Sequence, residues 1–94
     1  MSLQLGKMGL HMKIEILDSG SAMCKTLLGN ALEALRESGK KGRVVIVKDI
    51  RRIMKYGVMA TPALVINGVV MFSGRLGSPE EIAALLQRNL SSFV

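Results

Sequence analysis

The chain has 94 residues, 49% of them apolar and 21% charged, which suits one domain with one hydrophobic core and leaves no room for a second. Thirteen Lys and Arg against seven Asp and Glu give a formal charge of +6, which favours acidic partners, while an aromatic content of 3% offers no stacking platform and makes nucleic acid the weaker expectation. One Cys and one His exclude an intrachain disulfide framework and a Cys/His metal cluster, so no cofactor is expected and a reducing cytoplasm is the expected setting.

Residues 1–11 show neither clean periodicity nor turn chemistry and are expected to be an N-terminal extension or leader, with the domain proper over 12–94. They lack the long apolar run and small-residue cleavage site of a secretory signal. From Met12 the run M-K-I-E-I-L alternates and then turns apolar, predicting a strand to Leu17 with one face fully buried. Asp18-Ser19-Gly20 supplies turn residues. A helix is predicted over 21–38, with Ser21 or Ser19 as N-cap and Gly39 as the left-handed residue that stops it. Its apolar stripe is Cys24, Leu27, Leu28, Ala31, Leu32 and Leu35, at spacings of three and four. Lys25, Glu33, Arg36 and Glu37 lie off it, the pattern of a helix packed on a sheet.

Lys40-Lys41-Gly42-Arg43 reads as a polar connection, and Val44-Val45-Ile46-Val47 as a buried parallel strand. Strand, helix and strand then make a βαβ unit with a right-handed crossover. Asp49 is placed to cap a short second helix, with Ile50, Ile53 and Met54 inward, Arg51, Arg52 and Lys55 in solvent, and Gly57 at its end. Two β-rich runs, 63–66 and 69–72, flank Asn67-Gly68, the signature of a type I′ hairpin. Pro62 and this turn also argue against a membrane span over 57–74, so no membrane partner is expected. Ser78-Pro79-Glu80-Glu81 combines an N-cap, a proline at N1 and an acid at N3, predicting a full capping box and a final helix. Its inner face is Ile82, Leu85, Leu86 and Leu90.

The chemistry concentrates in the first turn. Cys24 follows Ser21 by three residues, an S-x-x-C spacing. Two readings stand for Cys24: an inert core thiol on the apolar stripe, or a thiol activated by the unpaired N–H groups and dipole of the helix's first turn. Ser21 reads first as an N-cap. Met54, Met59 and Met71 read as core or rim packing, and His11 as an inert part of the extension.

The order β-α-β-α-β-β-α, with the thiol in the first βα turn and Thr61-Pro62 directly before the third strand, resembles the thioredoxin fold. The carrying residues are M-K-I-E-I-L at 12–17, G-S-A-M-C-K at 20–25, D-I-R-R-I-M-K-Y-G-V-M-A-T-P-A-L-V-I-N-G at 49–68 and S-G-R-L-G-S-P-E-E-I at 73–82. Over 12–86 the chain resembles the small redox-active disulfide proteins, relatives of thioredoxin and glutaredoxin. The resemblance implies an α/β thioredoxin-like fold, with a four-stranded mixed sheet in the order 2-1-3-4 and helices on both faces. It further implies that Cys24 matches the second, resolving cysteine of a C-x-x-C site, that Ser21 stands where the attacking cysteine belongs, and that Pro62 after Thr61 matches a cis-proline beside the redox site. In relatives the backbone before that proline pairs with an extended substrate, and Gly74 matches a glycine that leaves this surface open. A serine hydroxyl does not replace an attacking thiolate at neutral pH. The expectation is therefore a thiol–disulfide oxidoreductase relative without dithiol cycling, limited to mixed disulfides between Cys24 and a thiol- or disulfide-containing protein or small thiol. The alternative is a redox-inactive peptide- or protein-binding module.

Overall fold

A computed structural model describes residues 11–91, with side chains through Arg88. Of the extension expected over 1–11, residues 1–10 lie outside the described residues, as does the inward placement of Leu90, while His11 is the first residue of a strand. The elements are β1 (His11–Leu17), α1 (Met23–Ser38), β2 (Lys41–Val47), α2 (Ile50–Lys55), β3 (Ala63–Ile66), β4 (Val69–Ser73) and α3 (Pro79–Ser91). The sheet order is β2-β1-β3-β4, with β1 parallel to β2 and antiparallel to β3. This is the expected mixed sheet.

The alternation of β1 divides the core in two. Met12, Ile14 and Ile16 point to one face, where they pack with Cys24, Leu27, Ala31 and Ala34 of α1 and Ile82 and Leu86 of α3. Leu17 points to the other, with Val47, Ala63, Val65 and Ile53 of α2. Helices thus cover both faces, but unequally, since α2 has six residues against the sixteen of α1.

The hairpin follows its chemistry. Asn67 and Gly68 both take positive φ, 50° and 85°, as a type I′ turn requires. Asn67 also ties the turn to β1: its Oδ1 accepts from Lys13 N–H at 2.9 Å, and its own N–H donates to the Lys13 carbonyl at 2.8 Å. Gly39 stops α1 at φ 72°, the left-handed geometry that glycine adopts without strain.

Several local expectations are corrected. On α1, Leu32 is 49% exposed while Ala34 is fully buried, because the helix lies against both sheet and α3 and its contact stripe is rotated toward the latter. The second strand begins at Lys41 rather than Val44, and it is the sheet edge rather than a buried strand. Its backbone pairing with β1 extends to Lys41, which no apolar pattern signals. On α2 only Ile53 is buried; Ile50 and Met54 are exposed, since so short a helix makes one turn of contact. In the final helix, Ser78 Oγ accepts from Glu81 N–H at 3.1 Å, half of the capping box. The Glu81 carboxylate instead takes both Arg75 nitrogens, at 3.0 and 2.6 Å, while the Arg75 guanidinium lies 4.3 Å over the Phe72 ring.

Glu15 is the unexpected core residue, 2% exposed on the α2 face of β1. A buried carboxylate is costly unless paired and hydrogen-bonded. Here it accepts from the Tyr56 hydroxyl and from Arg52 Nη2 at 3.1 Å. That hydrogen bond first, then burial and the Glu15 charge, pushes the Tyr56 phenol above its ordinary value.

The rotated contact stripe of α1 sets a direct comparison. Leu27→Ala should cost about 2–5 kcal/mol through transfer loss and a cavity, and Leu32→Ala within about 0.5 kcal/mol, read from urea midpoints at constant slope.

Candidate functional site

The two parallel strands end together. Leu17 of β1 pairs with Val47 and, on its other side, with Ala63, and Asp18 N–H donates to the Val47 carbonyl at 3.1 Å. The next residue on each strand therefore converges on one end of the sheet: Asp18 and its turn, Lys48, and Pro62. Ala63 in turn pairs with Ser73, which sets Gly74 beside Pro62, and Gly74 N–H donates to the Pro62 carbonyl at 2.8 Å. The Thr61-Pro62 bond is cis. Thr61 is half-buried and Pro62 buried.

At Gly74 the glycine is required twice over. Its φ is 75°, and a Cβ there would sit 3.0 Å from the Ala60 Cβ, so a side chain would push the segment before Pro62 away.

The turn itself is organised by Asp18, which is fully buried. Its Oδ2 accepts from the N–H groups of Gly20 at 3.1 Å and Ser21 at 2.7 Å, and its Oδ1 from the Ser21 hydroxyl at 3.0 Å. This corrects the capping expectation. The helix begins at Met23 with Ala22 in the N-cap position and no side-chain cap, so neither Ser21 nor Ser19 caps it. Ser21 is a donor to Asp18 instead. It is exposed at the outer rim of the turn, and its carbonyl accepts from Cys24 N–H at 3.2 Å.

Cys24 is a free thiol, 6% exposed, on the first turn of α1. Burial first, then the Asp18 charge and a hydrogen bond to that carboxylate, push its thiol above the ordinary value, against a smaller opposing pull from Lys48. Asp18 moves the other way. Burial alone would raise its carboxyl, but the hydrogen bonds from Ser21, Gly20 and Cys24 outweigh it and hold the group below its ordinary value. The surroundings thus favour the carboxylate at Asp18 and the thiol over the thiolate at Cys24.

The structure therefore gathers Ser21, Cys24, Thr61, Pro62 and Gly74 around one strand end. Sequence reasoning treated Asp18 only as a turn residue and passed over Lys48. The signal for Asp18 was its spacing, two and three residues before the N–H groups it accepts from, as in an Asx turn. Lys48 carried no local signal, since only strand pairing brings it to the thiol. The surrounding rim is apolar: Met59 is fully exposed, with Met23 at 41% and Leu76 at 36%. Among the described residues no cluster of His, Cys, Asp and Glu could hold a metal ion, and no helix is long and apolar enough to cross a membrane.

Residues 12–87 match the family model described as Thioredoxin domain. The chain is 37% identical over 75 residues to a thioredoxin of Methanothermobacter thermautotrophicus, covering 80% of this chain and 97% of that protein. It is 31% identical over 77 residues to a thioredoxin of Methanocaldococcus jannaschii, covering 82% and 88%. A probable thioredoxin of Methanothermobacter marburgensis is 36% identical over 77 residues, covering 78% and 91%.

Asp18 generates two expectations. Asp18→Asn removes the charge that opposes the thiolate, so the pH midpoint for alkylation of Cys24 should fall; an unmoved midpoint would show that burial alone sets it. Because folding lowers the Asp18 pKa, its contribution to stability is full above the unfolded value of about 3.9 and is lost as pH drops through the lower folded value. Acid unfolding of Asp18→Asn should accordingly lose part of the pH dependence seen in the parent in that window.

Proposed function

This chain belongs to the thioredoxin family, and from that premise we propose that it is a thioredoxin-like redox protein whose site keeps the family's docking geometry around a single thiol, Cys24. The observation that carries this reading is the convergence of the turn bearing the only cysteine with Thr61-Pro62 and Gly74 at one strand end. Ser21 occupies the exposed position where the family's attacking cysteine belongs. Its hydroxyl is bound to Asp18 and has no thiolate chemistry to offer.

The step open to such a site is a single exchange. The Cys24 thiol gives up its proton to solvent, its sulfur attacks one sulfur of a partner's disulfide, and a mixed disulfide forms as the partner's other sulfur leaves as a thiolate. With oxygen at position 21 nothing in the chain resolves that bond, so an external thiol must. The substrates are a thiol- or disulfide-containing protein or a small thiol, bound with an extended segment along the backbone before Pro62. Gly74 keeps that approach open, and Met59, Met23 and Leu76 supply an apolar rim. A reducing cytoplasmic compartment belongs to the same reading.

A specific observation favours a second reading. Cys24 is buried, and its surroundings oppose the thiolate, which fits a redox-inactive module that docks an extended peptide at the same groove. Titration with a thiol reagent distinguishes the two. Modification of the folded protein at elevated pH supports mixed-disulfide formation, whereas modification only after unfolding leaves the binding module.

Ser21→Cys tests the ancestry of the site. The substituted thiol should lie at the exposed outer position and confer dithiothreitol-dependent reduction of insulin that the parent lacks; a folded variant without that activity would sink the oxidoreductase reading.

A further inference from the structure

Among the described residues, positive charge gathers on the α2 side of the sheet. Around α1 and α3 it balances: Lys25, Arg36, Arg75 and Arg88 stand against Glu33, Glu37, Glu80 and Glu81. On the α2 side the strands present Lys13, Lys41 and Arg43, and α2 adds Arg51, Arg52 and Lys55. The carboxylates there are Glu15 and Asp49, and both are committed. Glu15 is buried and shared among Tyr56, Arg52 and Lys13, while Asp49 caps the Arg51 N–H at 2.9 Å.

The cations are also arranged. The parallel register sets Lys13 opposite Arg43 and His11 opposite Lys41. All four are exposed, on the part of the sheet face that α2 does not reach. Of these pairs, Lys13 and Arg43 are like charges directly opposite on neighbouring strands, which is destabilising. Among the described residues, neither Lys41 nor Arg43 has an acidic partner. Among the described residues nothing pairs with the outer edge of β2, seven residues long, whose backbone donors and acceptors can take another strand.

We propose that the β2 edge and its cationic face receive an extended acidic segment of a partner protein, which pairs along β2 and sets alternate carboxylates over Lys41 and Arg43. Residues two apart on a strand share a face about 6.6 Å apart, so acids at every second position meet both cations, and the one over Arg43 offsets its repulsion with Lys13 across the strands. A second copy of this chain does not fit, because its β2 edge carries the same charges. Nucleic acid fits less well: the described aromatics are Tyr56, whose hydroxyl is tied to Glu15, and the buried Phe72, so no free ring stacks a base. This surface is separate from the Cys24 turn, which lies at the other end of the parallel strands.

The test uses the full chain and a fluorescent peptide alternating glutamate with threonine, followed by anisotropy at low and high salt. Saturable binding that weakens with salt is expected. The double variant Lys41→Gln/Arg43→Gln should lose roughly tenfold in affinity, as two exposed charge pairs would give, while Arg36→Gln/Arg88→Gln on the opposite side should change little. Amides of β2 should gain hydrogen-exchange protection on binding. Absence of saturable binding, equal loss in both double variants, or a single-stranded oligonucleotide bound as tightly as the peptide would each overturn the proposal.

Discussion

Leu17 is held from both sides at once, by Val47 in parallel and by Ala63 antiparallel, and this double register fixes most of what the molecule does. A strand paired on two edges cannot slip by one residue without turning its whole buried set toward the wrong face. Here that would exchange Met12, Ile14 and Ile16 for Lys13, Glu15 and Leu17. Because the register is fixed, the residues after each strand arrive at one place: Asp18 from β1, Lys48 from β2, Pro62 ahead of β3. The Asn67 bonds to Lys13 lock the same register from the opposite end.

The chemistry of the thiol follows from that placement. A helix start lowers a nearby thiol's pKa through unpaired N–H groups, but here Asp18, held in the preceding turn by the Gly20 and Ser21 N–H groups, sets its own charge against the sulfur. Burial works in the same direction. One side chain thus organises the turn and adds to burial in disfavouring the thiolate. Ser21, though exposed, is tied to the same carboxylate through its hydroxyl.

The two faces of the sheet are unequal for a reason of length. Long α1 and α3 bury a broad apolar surface and balance their charges among themselves. The short α2 covers the ends of the strands near Leu17, so among the described residues the start of β1 and β2 is exposed on that face and carries cations. Glu15 marks the boundary between the two regimes. It is deep enough to be buried under α2, and it stays satisfied because Arg52 and Tyr56 reach down from that helix.

Element types and order were legible in the sequence because they rest on local rules: alternation in 12–17, three-and-four spacing after Cys24, glycine at 39, Asn67-Gly68, Ser78-Pro79. The family resemblance also located Ser21, Cys24, Thr61, Pro62 and Gly74, since these lie within short motifs. What the sequence could not supply were outcomes that depend on partners far along the chain. Leu32 and Met54 look like core residues until the neighbouring helix and the brevity of α2 leave them outside. Lys41 looks like a loop until β1 pairs with it. Asp18 looks like a turn residue until burial sets it against Cys24. By itself the sequence determined the elements, their order and the residues able to do chemistry, because propensity and periodicity act over a few residues. Only the tertiary structure decided the direction in which the thiol's pKa moves and the gathering of positive charge on one face, because burial and electrostatics depend on distances in space that separation along the chain does not encode.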